Sequence, residues 1–461
     1  MRCLAIGLLL CLRQHLVSNA ICANGRQFQD WSADYRALSR GHWDSHRLFD
    51  PLWDNLAQLL PSASTPVVLA IDDTLCKKTG RKIPGVFTAR DPLSPKFRPN
   101  FVSALRFLQA SILLSPAPEN PGPARALPVC FAWAPPAKKP KKNASAEDQQ
   151  AYRKQQKQQA LPRLAAQFIL QARAQMDRRP ALRHRCLVVV FDGSFTNKTL
   201  FQQPIPHRTV YIGRIRQDAK LCAPLPPSDG SRRGRQRLYG PPAPTPEQVR
   251  CDSSVPWSTI RCFVAGQLRD VQVKLVRPRF WRKAGARCPL QLVVLKACGY
   301  RLRQGAKRLY REPGFLVCTN PDLDLQPLVQ AYLYRWEIEC NHRDEKTLLG
   351  IGRAQVRNIG SVVRLPALQV ASYSLLQLAS LLSHGFQRGN AYLPLPKWNR
   401  KGNSARPSLS DMLNLLRDQL FALAATAVPL SNFDDFPACR TPIVEPPKMP
   451  FTAENLCTVA A

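Results

Sequence analysis

Carboxylates stand at three places in this sequence where they could hold hard cations. Asp72 and Asp73 follow the apolar run "PVVLAI", Asp192 follows "CLVVVF", and Glu339 lies in the charged stretch "AYLYRWEIECNHRDEKTLLG", residues 331–350. An apolar, β-branched run closed by an acid is how a buried strand delivers a carboxylate to its C-terminal end. Ions such as Mg²⁺ take oxygen ligands from a few acids and keep other positions for water and phosphate oxygens. Three acids from separate elements fit two-metal phosphoryl transfer on DNA or RNA.

The charged stretch reads as a helix, and its geometry sorts its residues. At about 100° per residue, with Tyr332 at zero, Arg335 falls near about −60°, Glu339 near about −20° and Lys346 near about −40°. Glu337, Asp344 and Glu345 fall at about 140°, 120° and 220°, on other faces. The plainer interpretation of the narrow face is an ion pair between Arg335 and Glu339, four residues apart, contributing a few tenths of a kcal/mol. It weakens beside the two acid-closed strands, because three independent signals then predict one site. Asp72 and Asp73 remain alternatives: alternation along a strand lets only one of them face the metals. For Asp192-Gly193-Ser194 the structural alternative is a turn with an N-capping acid.

The elements that must position these residues are set in a strongly basic chain. Across 461 residues, 66 Lys and Arg face 31 Asp and Glu, a formal charge of +35. That excess points to a polyanionic partner, nucleic acid first, and 45% hydrophobic residues exclude a disordered tail. The 15 cysteines are scattered without a C-x-x-C pair or zinc-ligand spacing, so reduced thiols are the simplest expectation. Arg2, the run Leu4–Leu12 and Ser18-Asn19-Ala20 mimic an export signal; the bland alternative is an amphipathic helix. No other segment is read as approaching transmembrane length.

Five regions are expected: a helical N-terminal region (1–62), the first part of a catalytic core (63–216), a β-rich insertion (217–318), the charged helix with the rest of the core (319–385), and a tail with one helix (386–461). Asp324 is placed to cap the charged helix. "SDGSRRGRQRLYGPPAP" brings Arg232, Arg233, Arg235 and Arg237 together, either to grip a DNA backbone through charge or as a solvated loop.

The spacing Tyr332-x2-Arg335-x3-Glu339-x6-Lys346, with "LAIDDTLCKKTG", "VVVFDGSFTNKT", "RGHWD", "GRIRQD" and the tail motifs "LPLPKW" and "RPSLSDMLNLLR", resembles the Y-R-E-K group of DDE transposases from bacterial insertion sequences. The likeness covers most of the chain. It implies an α/β fold: a ribonuclease H-like core with a β-rich insertion between the second Asp and the Glu, plus a helical N-terminal region that binds DNA. It implies Asp72 or Asp73, Asp192 and Glu339 as catalytic ligands of two Mg²⁺ ions, with Mn²⁺ able to substitute. Tyr332, Arg335 and Lys346 would contact the element end. The implied partners are DNA, as terminal inverted repeats and target, and a second copy in a synaptic homodimer, without a membrane. The implied location is the bacterial cytoplasm, at the nucleoid. On this likeness the signal-like segment becomes a core helix and the chain starts partway through the N-terminal region. The alternative is an inactive or truncated transposase derivative acting only as a DNA-binding protein.

Overall fold

The long apolar runs become the strands of one sheet. In the computed structural model, residues 1–427 are described apart from 13, 81, 96, 116–120, 227–236, 286–287, 301–304, 306, 396–397 and 399–405. The core strands are β1 (Val67–Lys77), β2 (Phe87–Arg90), β3 (Phe101–Leu114), β4 (Arg125–Trp133), β5 (Leu187–Phe191) and β6 (Thr209–Arg214). β1, β5 and β6 run parallel. β3 pairs antiparallel with β1 and carries β4 and β2 on its other edge. Every residue of β5 is buried, as expected of a strand covered on both faces, whose sequence then reads as continuous rather than alternating apolar. The order β4-β3-β1-β5-β6 is that of a ribonuclease H-like core.

The insertion supplies β7 (Leu221–Cys222), β8 (Ser258–Val264), β9 (Gln267–Trp281), β10 (Leu290–Leu295), the small hairpin β11 (Gly299–Tyr300) and β12 (Leu309–Tyr310), and β13 (Gly314–Cys318). It does not stand apart. β13 pairs antiparallel with β6, and β10, β9 and β8 follow outward, so core and insertion share an 11-stranded sheet.

Helices cover both faces. The N-terminal helices α1 (Arg2–Leu10), α2 (Val17–Ala23), α3 (Ser32–Ser39) and α4 (Asp50–Asn55) precede the sheet. Leu4 and Leu8 of α1 are buried against Leu365 and Leu368, so the signal-like segment is packed helix here. Gly7 permits its close approach to α2: a Cβ there would meet the Ala20 carbonyl oxygen at 2.2 Å. α5 (Ala146–Gln158) has no buried residue, whereas α6 (Leu161–Asp177) buries Phe168, Ile169, Ala172 and Met176 at helical spacing. Burial of each large side chain stabilises the fold by about 1.5–3 kcal/mol. Short α7 (Lys198–Phe201) and α8 (Pro246–Cys251) follow.

The charged stretch forms two helices rather than one: α9 (Leu325–Tyr334) and α10 (Trp336–Thr347). The Arg335 N–H donates to the Tyr332 carbonyl and the Ile338 N–H to the Arg335 carbonyl, both at 3.1 Å. These three-residue spacings tighten the backbone where the helices meet. Asp324 occupies the N-cap position of α9, but its side chain makes no capping hydrogen bond. α11 (Ile359–His384) lies against β4, α1 and α3, and α12 (Leu409–Ala427) packs on α11 and α1. Contrary to the sequence expectation, α11 is long and apolar enough to cross a membrane by length and composition, yet 94% of its apolar window is buried inside the protein. The thirteen cysteines among the described residues are all free thiols.

Candidate active site

The acids of β1 do not close the strand, as the sequence suggests. Pairing with β3 continues through Asp72↔Gln109 and Asp73↔Leu108 to Lys77, whereas parallel pairing with β5 ends at Ala70↔Val190. The acids therefore sit where β1 outruns β5 on one side only. Continuing that parallel register by two residues brings Asp72 level with Asp192. Alternation puts both on the face of Ala70, Val188 and Val190, which packs against Leu328 and Val329 of α9. Asp73 faces the other way, with Leu69 and Ile71.

α10 brings Glu339 to the same place through Arg335. One guanidinium nitrogen of Arg335 lies 3.6 Å from an Asp72 carboxylate oxygen and another 3.1 Å from Glu339. The guanidinium also sits 5.9 Å from the centre of the Tyr332 ring, so Tyr332, Arg335 and Glu339 are neighbours. The helical ion pair between Arg335 and Glu339 is present, and the same guanidinium reaches across to the sheet as well. Asp192 Oδ1 accepts hydrogen bonds from the Ser194 N–H at 2.8 Å and the Ser194 hydroxyl at 2.6 Å. Its turn is thus locally braced.

The electrostatics follow from crowding acids in a half-buried place. Burial raises the Asp72 pKa to about 7; Arg335 opposes the shift while Asp192 and Asp73 add to it. Burial raises Asp73 too, opposed by Arg106, augmented by Asp192 and opposed by Lys346. Burial works against the charge on Arg335, but Tyr332, Asp72, Glu339 and Asp192 outweigh it and raise its pKa. Burial likewise raises the Tyr332 phenol.

Among the described residues no three Asp, Glu, His or Cys side chains stand close enough together to form a ready-made metal cluster. Arg335 lies between two of the acids and supplies the positive charge. The donor set suits a divalent ion nonetheless: hard carboxylate oxygens from β1, the end of β5 and α10, in a setting where burial, followed by the neighbouring acids, disfavours the ionised form of Asp72.

Other charged residues of α10 divide differently. Lys346 lies toward Asp73 and Cys76, where its charge is felt, rather than in the Arg335 contact. Glu337 pairs with Arg406 at 2.7 Å and Asp344 with Arg343 at 2.9 Å. Glu345 is 1% exposed, so it is a core residue and not a solvated one; burial raises its pKa to about 8, while a hydrogen bond from Gln109 opposes the shift. Arg232, Arg233 and Arg235 lie outside the described residues, and Arg237 is exposed.

Sequence reasoning passed over Arg106 and Gln109, isolated polar residues in the apolar run "FVSALRFLQASILL" that reach the site's margin. It also missed Asn341, whose amide donates to the Ser111 hydroxyl at 3.3 Å and accepts from the Tyr373 hydroxyl at 2.9 Å. The loop after α10 is fastened to β1 as well: the Lys78 ammonium donates to the carbonyls of Gly352 and Ala354. A Cβ on Gly352, whose φ is +83°, would lie 2.5 Å from Cys76 Cβ.

A ribonuclease H-like sheet whose adjacent parallel strands carry level aspartates, faced by a helix carrying glutamate, defines the class of nucleases and related phosphoryl-transfer enzymes. Comparison with protein families gives the particular family. The family model described as "DDE superfamily endonuclease" matches residues 1–277, 277 of 461 residues, and the chain belongs to that family. The match includes Asp72, Asp73 and Asp192 and ends within β9, ahead of Glu339. No curated protein matches the chain.

Proposed function

We propose that this protein is a DDE transposase that cuts phosphodiester bonds at the ends of an insertion sequence and joins the ends to target DNA, working as a homodimer that pairs two ends. The observation that carries this is the Arg335 guanidinium standing between Asp72 and Glu339, with Asp192 level with Asp72 by the register of the parallel strands. Asp72, Asp192 and Glu339 would hold divalent ions, Mg²⁺ first and Mn²⁺ as a substitute; when bound, these supply the Lewis acidity that activates a water or 3′ hydroxyl and offsets charge on the phosphoryl oxygens. Arg335 has the fork that binds phosphate through two N–H groups, and Tyr332 beneath it restricts its orientation. Lys346 and Arg106, near Asp73, add positive charge at the margin. The net charge of +35 draws the DNA backbone whatever its sequence.

The test incubates purified protein with a labelled element end and Mg²⁺. Nicking that disappears in Glu339→Gln is expected. No nicking at any salt concentration, or undiminished nicking by the variant, sinks the proposal. A second reading, a DNA-binding derivative without catalysis, is favoured by Arg335 itself, whose ion pairs with Asp72 and Glu339 could serve the fold alone. End binding indifferent to metal, with no cleavage, would support it.

A further inference from the structure

We infer that a second basic pocket, beyond the acids and at the far end of α10, is a phosphate subsite that takes one backbone phosphate of the bound DNA strand; the inference rests on the DNA-processing function proposed above. The pocket is a cavity of about 440 Å³ between the α1–α2 connection, the end of α10 with the loop that follows it, and α12. Sites for small ligands commonly occupy about 300–1,000 Å³. Its polar lining includes Gln14, His15, Arg353, Ser410, Asn414 and Arg417, and among the described residues no carboxylate lines it.

Each basic side chain in it has hydrogen-bonding capacity to spare. His15 is 9% exposed and its Nε2 has no hydrogen-bond partner. The segment is held in place instead by its backbone, the His15 carbonyl accepting from the Gln369 amide at 3.1 Å. Arg417 donates one guanidinium N–H to the Cys11 carbonyl at 2.8 Å, which fixes the side chain, while its Nε is buried without a partner. Arg353 makes no side-chain hydrogen bond or ion pair among the described residues. Asp411, on the same helix as Arg417, is engaged by Arg388 at 2.6 Å and is not part of the lining.

Two guanidiniums and an imidazole with a free nitrogen, and no acid among the described residues that line the cavity, call for an anion. Burial first, and then the charges of Arg417 and Arg353, lower the His15 pKa to about 4. The C-terminal end of α10 contributes some negative potential, too little to balance two full charges. The location points to DNA as the source of the phosphate. Thr347, in the wall, directly follows Lys346 on α10, so a strand running from Glu339 past Lys346 reaches this cavity next. Arginine forks match phosphate oxygens better than a lysine would.

The experiment measures duplex binding by fluorescence anisotropy over a salt series for wild type, Arg353→Ala, Arg353→Lys and Arg417→Lys. Arg353 is exposed, so its variants should fold normally. Each neutralised phosphate contributes about 0.9 to the slope of log affinity against log salt on B-DNA. Arg353→Ala should lower that slope by about one such step, whatever the duplex sequence. The two lysine variants, which keep the charge, should retain it. An unchanged slope in Arg353→Ala, with wild type binding DNA, overturns the subsite and leaves the transposase proposal standing. Wild type that binds no DNA overturns both. Inorganic phosphate is titrated in parallel into DNA-free protein while the His15 ring resonance is followed, assigned with His15→Gln, and a saturable shift is expected. That shift combined with an unaltered DNA slope would make this a free-phosphate site and overturn its assignment to the backbone.

Discussion

Arg335 stands 3.6 Å from Asp72 and 3.1 Å from Glu339, so one guanidinium links the sheet acid to the helix acid. A divalent ion binding among Asp72, Asp192 and Glu339 should take over that role and stabilise the fold by mass action. At a free ion concentration of 100 times Kd the gain is about 2.7 kcal/mol. Thermal denaturation with increasing Mg²⁺ should show Tm rising in wild type and staying flat in Asp192→Asn and Glu339→Gln. An equal rise in all three would place the ion elsewhere.

Register and strand alternation distinguish Asp72 from its neighbour. Asp72 shares a face with Asp192, while Asp73 faces the side of Leu69 and Ile71. Asp72→Asn should lower the cleavage rate by about 10³-fold or more, on the scale of removing a principal electrostatic group from an active site. Asp73→Asn should leave activity within about tenfold of wild type, judged by kcat under saturating DNA. The reverse ranking would give the ligand role to Asp73.

The acids of β1 and β5 could be found in the sequence because buried parallel strands read as unbroken apolar runs, and an Asp at the edge of such a run stands out. The extent of β1 could not, because it depends on β3, whose partnership is non-local. The same holds for the insertion: its strands are visible as short β-rich runs, but the pairing of β13 with β6 that merges it with the core is a tertiary choice. The break at Arg335 has no Gly or Pro to announce it, and Arg335 itself keeps helical dihedral angles of −49° and −32°. Helical arithmetic separated Glu345 from Glu339 correctly but gave no means of telling a solvated face from one pressed against β3. His15 comes together with Arg353 and Arg417 from more than three hundred residues away in the sequence, and the three have no local signature.

Glu345 makes the stability of the fold sensitive to pH. Its pKa is raised by burial to about 8 in the fold, above the ordinary carboxylate range near 4.3 expected when unfolded. The folded state then holds a proton that the unfolded state has lost, so its contribution to stability is full below about pH 4 and declines until pH passes the folded value. Denaturant midpoints should fall between pH 5 and pH 9 by an amount that Glu345→Gln, neutral at every pH, reduces. Identical pH profiles for the two proteins would show that Glu345 is ionised in the fold.

Asn341 should set the position of α10 over the acids. Its amide donates to the Ser111 hydroxyl at 3.3 Å and accepts from the Tyr373 hydroxyl at 2.9 Å, and Ser111 pairs with Ala70, two residues before Asp72 on β1. Asn341 lies two residues after Glu339, so this bridge ties the helix that carries one acid to β3, the strand paired with the one that carries another. Asn341→Ala would leave the buried Tyr373 hydroxyl without its partner, at about 1–3 kcal/mol. Tyr373→Phe removes the orphaned group, so the double variant should be more stable than the two losses added together, with a coupling of at least about 0.5 kcal/mol. A displacement of α10 also moves Glu339, and misplacement near 1 Å can cost about 10²-fold in rate. Asn341→Ala should therefore lower kcat while leaving KM for DNA nearly unchanged. Additive stabilities, or a KM effect without loss of kcat, would assign Asn341 no part in positioning the acid.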